Sequence, residues 1–321
     1  MSHLSVVAPV YREAALLEEL CSRLKQALDP ITEDYEIVLV EDGGGDNSWE
    51  IIREQSKQDN RIKGVKFSRN FGQHYAISAG LEACNGDWVI VMDGDLQDRP
   101  EVIPELYAKA QDGYDVVFVA RQERPENILY KFLQRCFYAV FKTLARMDYN
   151  PAHGNFSIIS RKVVDYYNEI GETLRFYGGI INWLGFRITT IDARHGERFS
   201  GETKYTFASR LQLATHVILA HSDRPLRISI FLGLAIAVFS FLFGVWVIYR
   251  ALAHGVSVEG WASVMVSIYF IGGIILFVLG IMGLYIGKVF EQAKGRPLFV
   301  IEERVGFSNC TFDNTDRQRR S

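Results

Sequence analysis

The hydrophobic pattern divides the chain into two parts. Up to about residue 220, short apolar runs alternate with amphipathic stretches, which is typical of a mostly parallel sheet covered by helices. Two long uncharged apolar runs follow, Ile228–Tyr249 and Trp261–Ile286. We therefore predict an α/β domain over residues 1–220, two transmembrane helices within residues 221–290, and a C-terminal tail over residues 291–321.

The apolar runs of the first part have the lengths of strands and helices. The predicted strands are Leu4–Val10, Tyr35–Val40, Ile62–Phe67, Trp88–Met92 and Val116–Val119. Helical spacing of apolar residues predicts helices over Glu13–Ala27, Ser48–Gln58 and Gln73–Ala83. Ligands of open α/β sheets bind at the carboxyl ends of the strands, so the residues just after each strand are the candidate site.

The two long apolar runs can cross a bilayer. They contain 22 and 26 residues, which reach roughly 33 and 39 Å, against a hydrocarbon core of about 30 Å. A buried hairpin of a soluble protein is the alternative, but soluble core helices rarely continue this far without a charge. The runs predict an integral protein of the inner, cytoplasmic membrane.

Positive charges predict the orientation of these two spans. The outer flanks carry Arg224, Arg227, Lys288, Lys294 and Arg296. The loop between the spans offers only Arg250. Positive residues are retained on the cytoplasmic side, and residues 1–10 lack the pattern of a signal peptide. Both termini and the large domain are therefore expected in the cytoplasm.

Composition narrows the function classes further. A formal net charge of −3 gives no basic excess for nucleic acid. The cysteines have neither paired nor metal-ligand spacing, as expected of thiols in a reducing compartment. A transporter is disfavoured because neither span contains a charged residue or a histidine. Gly283 and Gly287 have the spacing of close helix packing, which predicts a homo-oligomer.

Polar residues follow the first two predicted strands. They are Pro9–Glu13 (PVYRE) and Glu41–Ser48 (EDGGGDNS). A plain turn with a helix cap explains the glycines and Asp46. It does not explain two adjacent acids, Glu41 and Asp42, at the end of a strand.

The fourth predicted strand runs directly into the acidic segment Asp93–Asp98 (DGDLQD). Carboxylates at the end of a buried strand are costly unless a cation or hydrogen-bond donors compensate them. Two carboxylates separated by one residue can hold a hard divalent cation, with phosphate oxygens and water as its other ligands. An isolated Asp-x-Asp triplet is often a solvated turn, but this one precedes a helix start at Arg99–Glu101.

Taken together, these segments resemble the family 2 glycosyltransferases of GT-A fold, and within them the polyprenyl-phosphate branch of dolichyl-phosphate mannose synthases and bactoprenol glucosyltransferases. In chain order they are Val7–Tyr11 (VAPVY), Ser68–Gly72 (SRNFG), Asp93–Asp98, Gly201–Tyr205 (GETKY) and Pro225–Arg227 (PLR). The resemblance covers nearly the whole chain. It implies a Rossmann-like GT-A catalytic domain on a two-helix membrane anchor.

The resemblance also implies a role for particular residues. The positions that hold the donor nucleoside are Pro9, Tyr11, Glu13 and Asp42, and those of the Mg²⁺ or Mn²⁺ and diphosphate site are Asp93, Asp95 and Gln97. Basic positions that receive the acceptor phosphate are Arg121 and Arg135, and those that grip phosphates from a loop are Arg198 and Lys204. A solvated basic loop is the alternative for that last pair.

The sequence departs from the family pattern at four positions. Arg12 stands where Asn is common, Glu41 replaces an Asp, and Gly44 replaces a frequent Ser. Asn155, in Gly154–Ser157 (GNFS), replaces an Asp that serves as the proposed catalytic base in relatives. A lipid monophosphate does not need such a base, because its second pKa is about 6 and it is already an anion at neutral pH.

The implied reaction is inverting transfer of a hexose from a nucleotide sugar to a polyprenyl phosphate, with UDP-glucose and undecaprenyl phosphate as first choices. Asp95, Arg121, Arg135 and Asn155 are then the residues expected at the reacting groups. GDP-mannose is the alternative donor, and a non-catalytic membrane scaffold that binds nucleotide sugars is the alternative function. A processive polysaccharide synthase is disfavoured, because the chain lacks a Gln-x-x-Arg-Trp segment and enough spans for a channel.

Overall fold

The predicted strands belong to one mixed eight-stranded sheet. A computed structural model of the chain describes residues 3–121, 153–173, 175–193, 224–254 and 260–307. The strands are β1 Leu4–Val10, β2 Tyr35–Glu41, β3 Ile62–Phe67, β4 Trp88–Val91, β5 Val116–Arg121, β6 His153–Ser160, β7 Ile188–Ala193 and β8 Ile301–Val305. They lie in the order β7-β5-β6-β4-β1-β2-β3-β8.

Eight α-helices accompany these strands in the described residues. They are α1 Leu17–Leu28, α2 Ser48–Gln58, α3 Gln73–Ala83, α4 Ile103–Ala110, α5 Arg161–Glu169, α6 Tyr177–Leu184, α7 Arg224–His254 and α8 Trp261–Ala293. Short 3₁₀ turns, Ala14–Leu16 and Pro100–Val102, precede α1 and α4. The chain separates into a sheet unit, with the described residues up to 193 and from 297, and a helical unit over 224–254 and 260–296.

The sheet is parallel at its centre and antiparallel at two places. β1 pairs in parallel with β2 and β4, β2 with β3, and β5 with β7. β6 runs antiparallel between β4 and β5, and β8 runs antiparallel to β3. The prediction of a mostly parallel α/β sheet is therefore confirmed.

Both faces of the central strand β1 are covered, so all seven of its residues are buried. Val6 packs on one side in a cluster with Leu20 of α1. Val7 points to the opposite side, in a cluster with Ala76 and Ile77 of α3. Burial on both faces is the reason why β1 reads as a continuous apolar run.

The local predictions agree with the observed elements, with small shifts at their ends. All five predicted strands and all three predicted helices are present, although the helix predicted from Glu13 begins as the 3₁₀ turn and becomes α1 only at Leu17. Strands β6, β7 and β8 were not predicted from the sequence. The last of these follows the second apolar helix and returns the chain to the sheet unit.

The helical unit contains the two predicted apolar runs, within α7 and α8. Leu226–Phe243 and Phe270–Ala293 are each long and apolar enough to cross a membrane, with a mean hydropathy of 2.3. Many of their large apolar side chains are exposed, among them Phe241 at 71% and Leu276 at 71%. Exposed apolar side chains of this kind are typical of segments that span a membrane or bind another protein.

Candidate active site

The loops after β1, β2 and β4 meet at one edge of the sheet, because parallel neighbours end on the same side. Two glycines show how closely these loops approach. A Cβ on Gly94 would lie 2.9 Å from the carbonyl oxygen of Pro9 and would also clash with the Glu13 carboxyl. A Cβ on Gly44 would lie 2.9 Å from the backbone nitrogen of Arg12. The three segments that the sequence placed at strand ends, after β1, β2 and β4, are therefore close together in the structure.

The adjacent acids after β2 hold the surrounding loops. Asp42 is 2% exposed and accepts hydrogen bonds from the backbone N–H groups of Phe71, at 2.7 Å, and Gly72, at 2.9 Å. Burial raises the pKa of Asp42 above its ordinary value, although these two N–H groups act in the opposite direction. Glu41 accepts from the backbone N–H of Gly44. Both acids therefore have a structural partner in addition to any ligand.

The acids after β4 form a tight local network. The buried Asp98 accepts from the backbone N–H of Asp93 at 3.0 Å. Asp95 accepts twice from Gln97, from its backbone N–H at 3.0 Å and from its side-chain Nε2 at 2.6 Å. Leu96 lies in the left-handed region at φ 60°, with its side chain buried, which turns the segment sharply.

Glu13 lies against this acidic turn. Its pKa is raised to about 8, mainly by burial and then by the charges of Asp95, Asp93 and Asp46, in that order. Among the described residues, no side chain or backbone group donates a hydrogen bond to its buried Oε2 atom. The site therefore concentrates negative charge in a partly buried place, where a positive charge would be stabilised.

These carboxylates fit a hard divalent cation only if a bound ligand, such as a diphosphate, supplies further oxygen atoms. In the part of the chain that the structure describes, no group of three or more His, Cys, Asp or Glu side chains is arranged to hold a metal alone. Asp93 and Asp95 supply the oxygen atoms that Mg²⁺ and Mn²⁺ prefer, and a diphosphate would complete the set. Gln97 meets Asp95 through its amide nitrogen, so a role as metal ligand would use its amide oxygen.

Two amides approach Asp93 from neighbouring elements. Gln73, the first residue of α3, donates from Nε2 to Asp93 Oδ1 at 2.6 Å. Asn155 of β6 donates from Nδ2 to the same oxygen at 3.3 Å. Antiparallel pairing of β6 with β4 brings Asn155 to the acidic turn. The predicted position 155 is therefore at the site, and its amide acts there as a hydrogen-bond donor.

Arg12 has an unusual backbone beside the site. Its φ is 58°, in the left-handed region that Asn tolerates better than Arg. Its Nε donates to the carbonyl oxygen of Gly44 at 3.1 Å, and its guanidinium carbon lies 5.3 Å from the Tyr11 ring centre. The departure from Asn at this position thus occurs at a backbone conformation for which Asn is better suited.

The structure describes the remaining predicted residues to different extents. Pro9 and Tyr11 lie at the end of β1, and Tyr11 is 43% exposed. Arg121 is the last residue of β5, and its side chain is not described. Arg135, Arg198 and Lys204 lie outside the described residues.

Sequence reasoning missed Gln73. A single glutamine carries no chemical signal, although it lies shortly after the end of β3 and the strand-end rule covers that position too. Gln73 is identified by the contact of its side chain with Asp93. That contact depends on the packing of α3 and is therefore visible only in the structure.

Comparison with known proteins agrees with this geometry. Residues 5–167 match the family model described as glycosyl transferase family 2. The chain belongs to this family. It is a glycosyltransferase, and the predictions of an enzyme and of a GT-A fold are confirmed.

Full-length relatives extend the match beyond the family model. The glycosyltransferase YkcC of Bacillus subtilis (strain 168) is 37% identical, over 95% of each chain. The undecaprenyl-phosphate 4-deoxy-4-formamido-L-arabinose transferase of Shewanella sediminis (strain HAW-EB3) is 34% identical, over 93% of this chain and 91% of the relative. The prophage-derived bactoprenol glucosyl transferase of Shigella flexneri is 33% identical, over 94% and 97%.

Proposed function

We propose that this glycosyltransferase moves a hexose, with inversion, from a nucleotide sugar to a polyprenyl phosphate at the cytoplasmic face of the inner membrane. The preferred donor is UDP-glucose, from which glucose is transferred, and the preferred acceptor is undecaprenyl phosphate. The observation that carries the proposal is the carboxylate cluster of Glu13, Asp93 and Asp95 on a chain that also has two long apolar helices. Relatives named for bactoprenol and undecaprenyl phosphate support a lipid acceptor.

The donor would bind along the strand ends. Pro9, Tyr11, Glu13 and Asp42 would hold the nucleoside. Asp93 and Asp95, with Gln97, would hold Mg²⁺ or Mn²⁺ against the diphosphate, and the cation would stabilise the charge of the departing nucleotide. The residues themselves must position the anomeric carbon and exclude competing water.

The acceptor would supply its own nucleophile. Asn155 cannot remove a proton, and its amide donates a hydrogen bond to Asp93. A lipid monophosphate with a second pKa of about 6 is already the reactive anion near neutral pH. Arg121 and Arg135 would bind that phosphate, and Arg198 and Lys204 would bind phosphate oxygens from a loop, because guanidinium and ammonium groups stabilise phosphate charge.

The helical unit would anchor the enzyme in the membrane. β8 follows α8 and pairs with β3, so the chain begins and ends its helical excursion at the sheet unit. Two spans that return to one unit would leave residues 1–220 and 291–321 on the same side of the membrane, and the flanking Lys and Arg residues favour the cytoplasmic side. Gly283 and Gly287 on α8 support a homo-oligomer.

A donor panel tests the proposal. Purified full-length chain is incubated with undecaprenyl phosphate, Mn²⁺ and labelled UDP-glucose, GDP-mannose or UDP-N-acetylglucosamine, and lipid-linked sugar is measured. We expect product from UDP-glucose. Product from GDP-mannose alone would support the mannosyl alternative, and nucleotide binding without any lipid product would contradict the proposed reaction.

A further inference from the structure

Three consecutive residues connect the two acidic strand ends. The backbone N–H groups of Phe71 and Gly72 donate to Asp42 after β2, at 2.7 and 2.9 Å. The next residue, Gln73, donates from its side chain to Asp93 after β4, at 2.6 Å. One turn of chain, here called the 71–73 turn, therefore contacts both carboxylates.

The 71–73 turn leads directly into a packed helix. Gly72 has φ 110°, a conformation that residues with a side chain rarely adopt. The turn ends in α3, whose first helical residue is Gln73 and whose following turn is buried from Ala76 onward. The backbone of Gln73 is therefore held at the start of a packed helix, from which its exposed side chain reaches Asp93.

The bond from Gln73 constrains Asp93 in particular. A carboxylate that accepts one short hydrogen bond can still rotate about its Cβ–Cγ bond, but the second donor, Asn155 at 3.3 Å, lies on another element. Donors on two different elements therefore hold the same Oδ1 atom of Asp93. Outer partners of this kind orient the ligands of metal sites in general.

We propose that Gln73 is a positioning residue for the donor site. It fixes the carboxylate of Asp93 and, through the 71–73 turn, sets its distance from Asp42. The carboxylate assigned to the diphosphate and the carboxylate assigned to the nucleoside are thereby held as one unit. The ligand class is a nucleoside diphosphate with its divalent cation, so the inference rests on the proposed function of this site.

Removing the hydrogen-bonding N–H group at position 73 should weaken the binding of the nucleotide sugar and of the cation, and not the binding of the acceptor. Gln73→Met keeps the length of the side chain and removes its N–H group. We expect the Mn²⁺ and UDP-glucose concentrations for half-maximal rate to rise by about 10- to 100-fold, the range found for outer partners of metal ligands. The undecaprenyl phosphate requirement should stay unchanged, because the acceptor does not contact Asp93 in this account.

The experiment compares four full-length chains: wild type, Gln73→Met, Asn155→Ala and the exposed control Gln111→Met. Calorimetry measures the binding of UDP with Mn²⁺ and of GDP with Mn²⁺, thermal unfolding measures stability, and lipid glycosylation gives the substrate requirements. Gln73→Met should bind the nucleotide about 10-fold more weakly or worse, Asn155→Ala should show a smaller loss, and Gln111→Met should match wild type.

The outcomes separate the inference from the proposed function. If wild type binds one nucleotide and Gln73→Met binds it equally tightly, the positioning role is wrong and the proposed function stands. An equal rise in the donor and acceptor requirements, or a loss of activity that follows a lower Tm, would also overturn the positioning role. If wild type binds neither nucleotide, both ideas fail.

Discussion

At the scale of single residues, Asn155 is the departure from the family pattern that contacts the acidic turn directly. It donates to Asp93 at 3.3 Å, where a carboxylate would repel that acid. The side chain therefore contributes to the arrangement of the site and not to proton removal. This assignment makes the acceptor phosphate responsible for the pH dependence of the reaction.

Asn155→Asp tests this assignment. A general base contributes about 10²- to 10⁴-fold to a rate, so a reaction that lacked one should accelerate strongly when it is restored. We expect no gain beyond about twofold in lipid glycosylation. The wild-type rate should fall as the pH drops through about 6, where the acceptor gains a proton. A pH profile that moves with the substitution would show that a protein base participates.

Glu13→Gln tests the charge concentration at the site. Burial and nearby acids raise the pKa of Glu13 from 4.5 to about 8. Between these values the folded chain keeps a proton that the unfolded chain releases, so this group contributes stability below pH 4.5 that is lost as the pH rises through 8. Without metal or nucleotide, the Tm advantage of Glu13→Gln over wild type should therefore be larger at pH 8 than at pH 5.

The exposed substitution Glu18→Gln on α1 is the matched control for that measurement. An advantage for Glu13→Gln that is the same at both pH values, or larger at pH 5, would contradict the raised pKa. Calorimetry of the full chain in detergent gives both Tm values directly.

At the scale of elements, strands β1 to β5 were predictable from the sequence, whereas the interior strand β6 and the edge strands β7 and β8 were not. β1, β2 and β4 are buried and apolar, so their ends and the acids that follow them could be read from the sequence. β8 contains three consecutive charged residues, Glu302, Glu303 and Arg304, so it lacks the apolar pattern of a strand and is recognised only by its pairing with β3. Gln73 was missed for the same reason, since its role depends on a contact across the sheet.

Glu303 and Glu302 form a matched pair on β8. Glu303 accepts from the indole N–H of the buried Trp49 at 2.8 Å, whereas the more exposed Glu302 makes an ion pair with Lys66 at 3.1 Å. Glu303→Ala leaves a buried donor without its partner and should lower the free energy of unfolding by about 1 kcal/mol. Glu302→Ala should change it by less than about 0.5 kcal/mol.

Chemical unfolding of the full chain in detergent measures both variants of β8. Equal effects of the two substitutions would show that the Trp49 contact does not stabilise the protein. A larger effect of Glu302→Ala would contradict the register of β8 against β3.

At the scale of the whole molecule, the chain leaves the sheet unit before α7 and returns to it after α8. This order predicts that residues before and after the two apolar helices share one compartment. Intact cells are labelled with a membrane-impermeant thiol reagent on chains that carry Ser2→Cys or Ser257→Cys. We expect labelling of position 257 from outside and labelling of position 2 only after lysis. Labelling of both positions from outside would contradict the proposed orientation.

The most direct test of the account is the metal dependence of sugar transfer by the acidic turn after β4. The purified full-length chain is given UDP-glucose and undecaprenyl phosphate, and lipid-linked glucose is measured with EDTA, after addition of Mg²⁺ or Mn²⁺, and in Asp95→Asn. We expect that EDTA abolishes the formation of lipid-linked glucose and that one of the cations restores it. Asp95→Asn should form no lipid-linked glucose, and its Tm should be unchanged. Full activity in EDTA, or a wild-type rate in Asp95→Asn, would contradict the account.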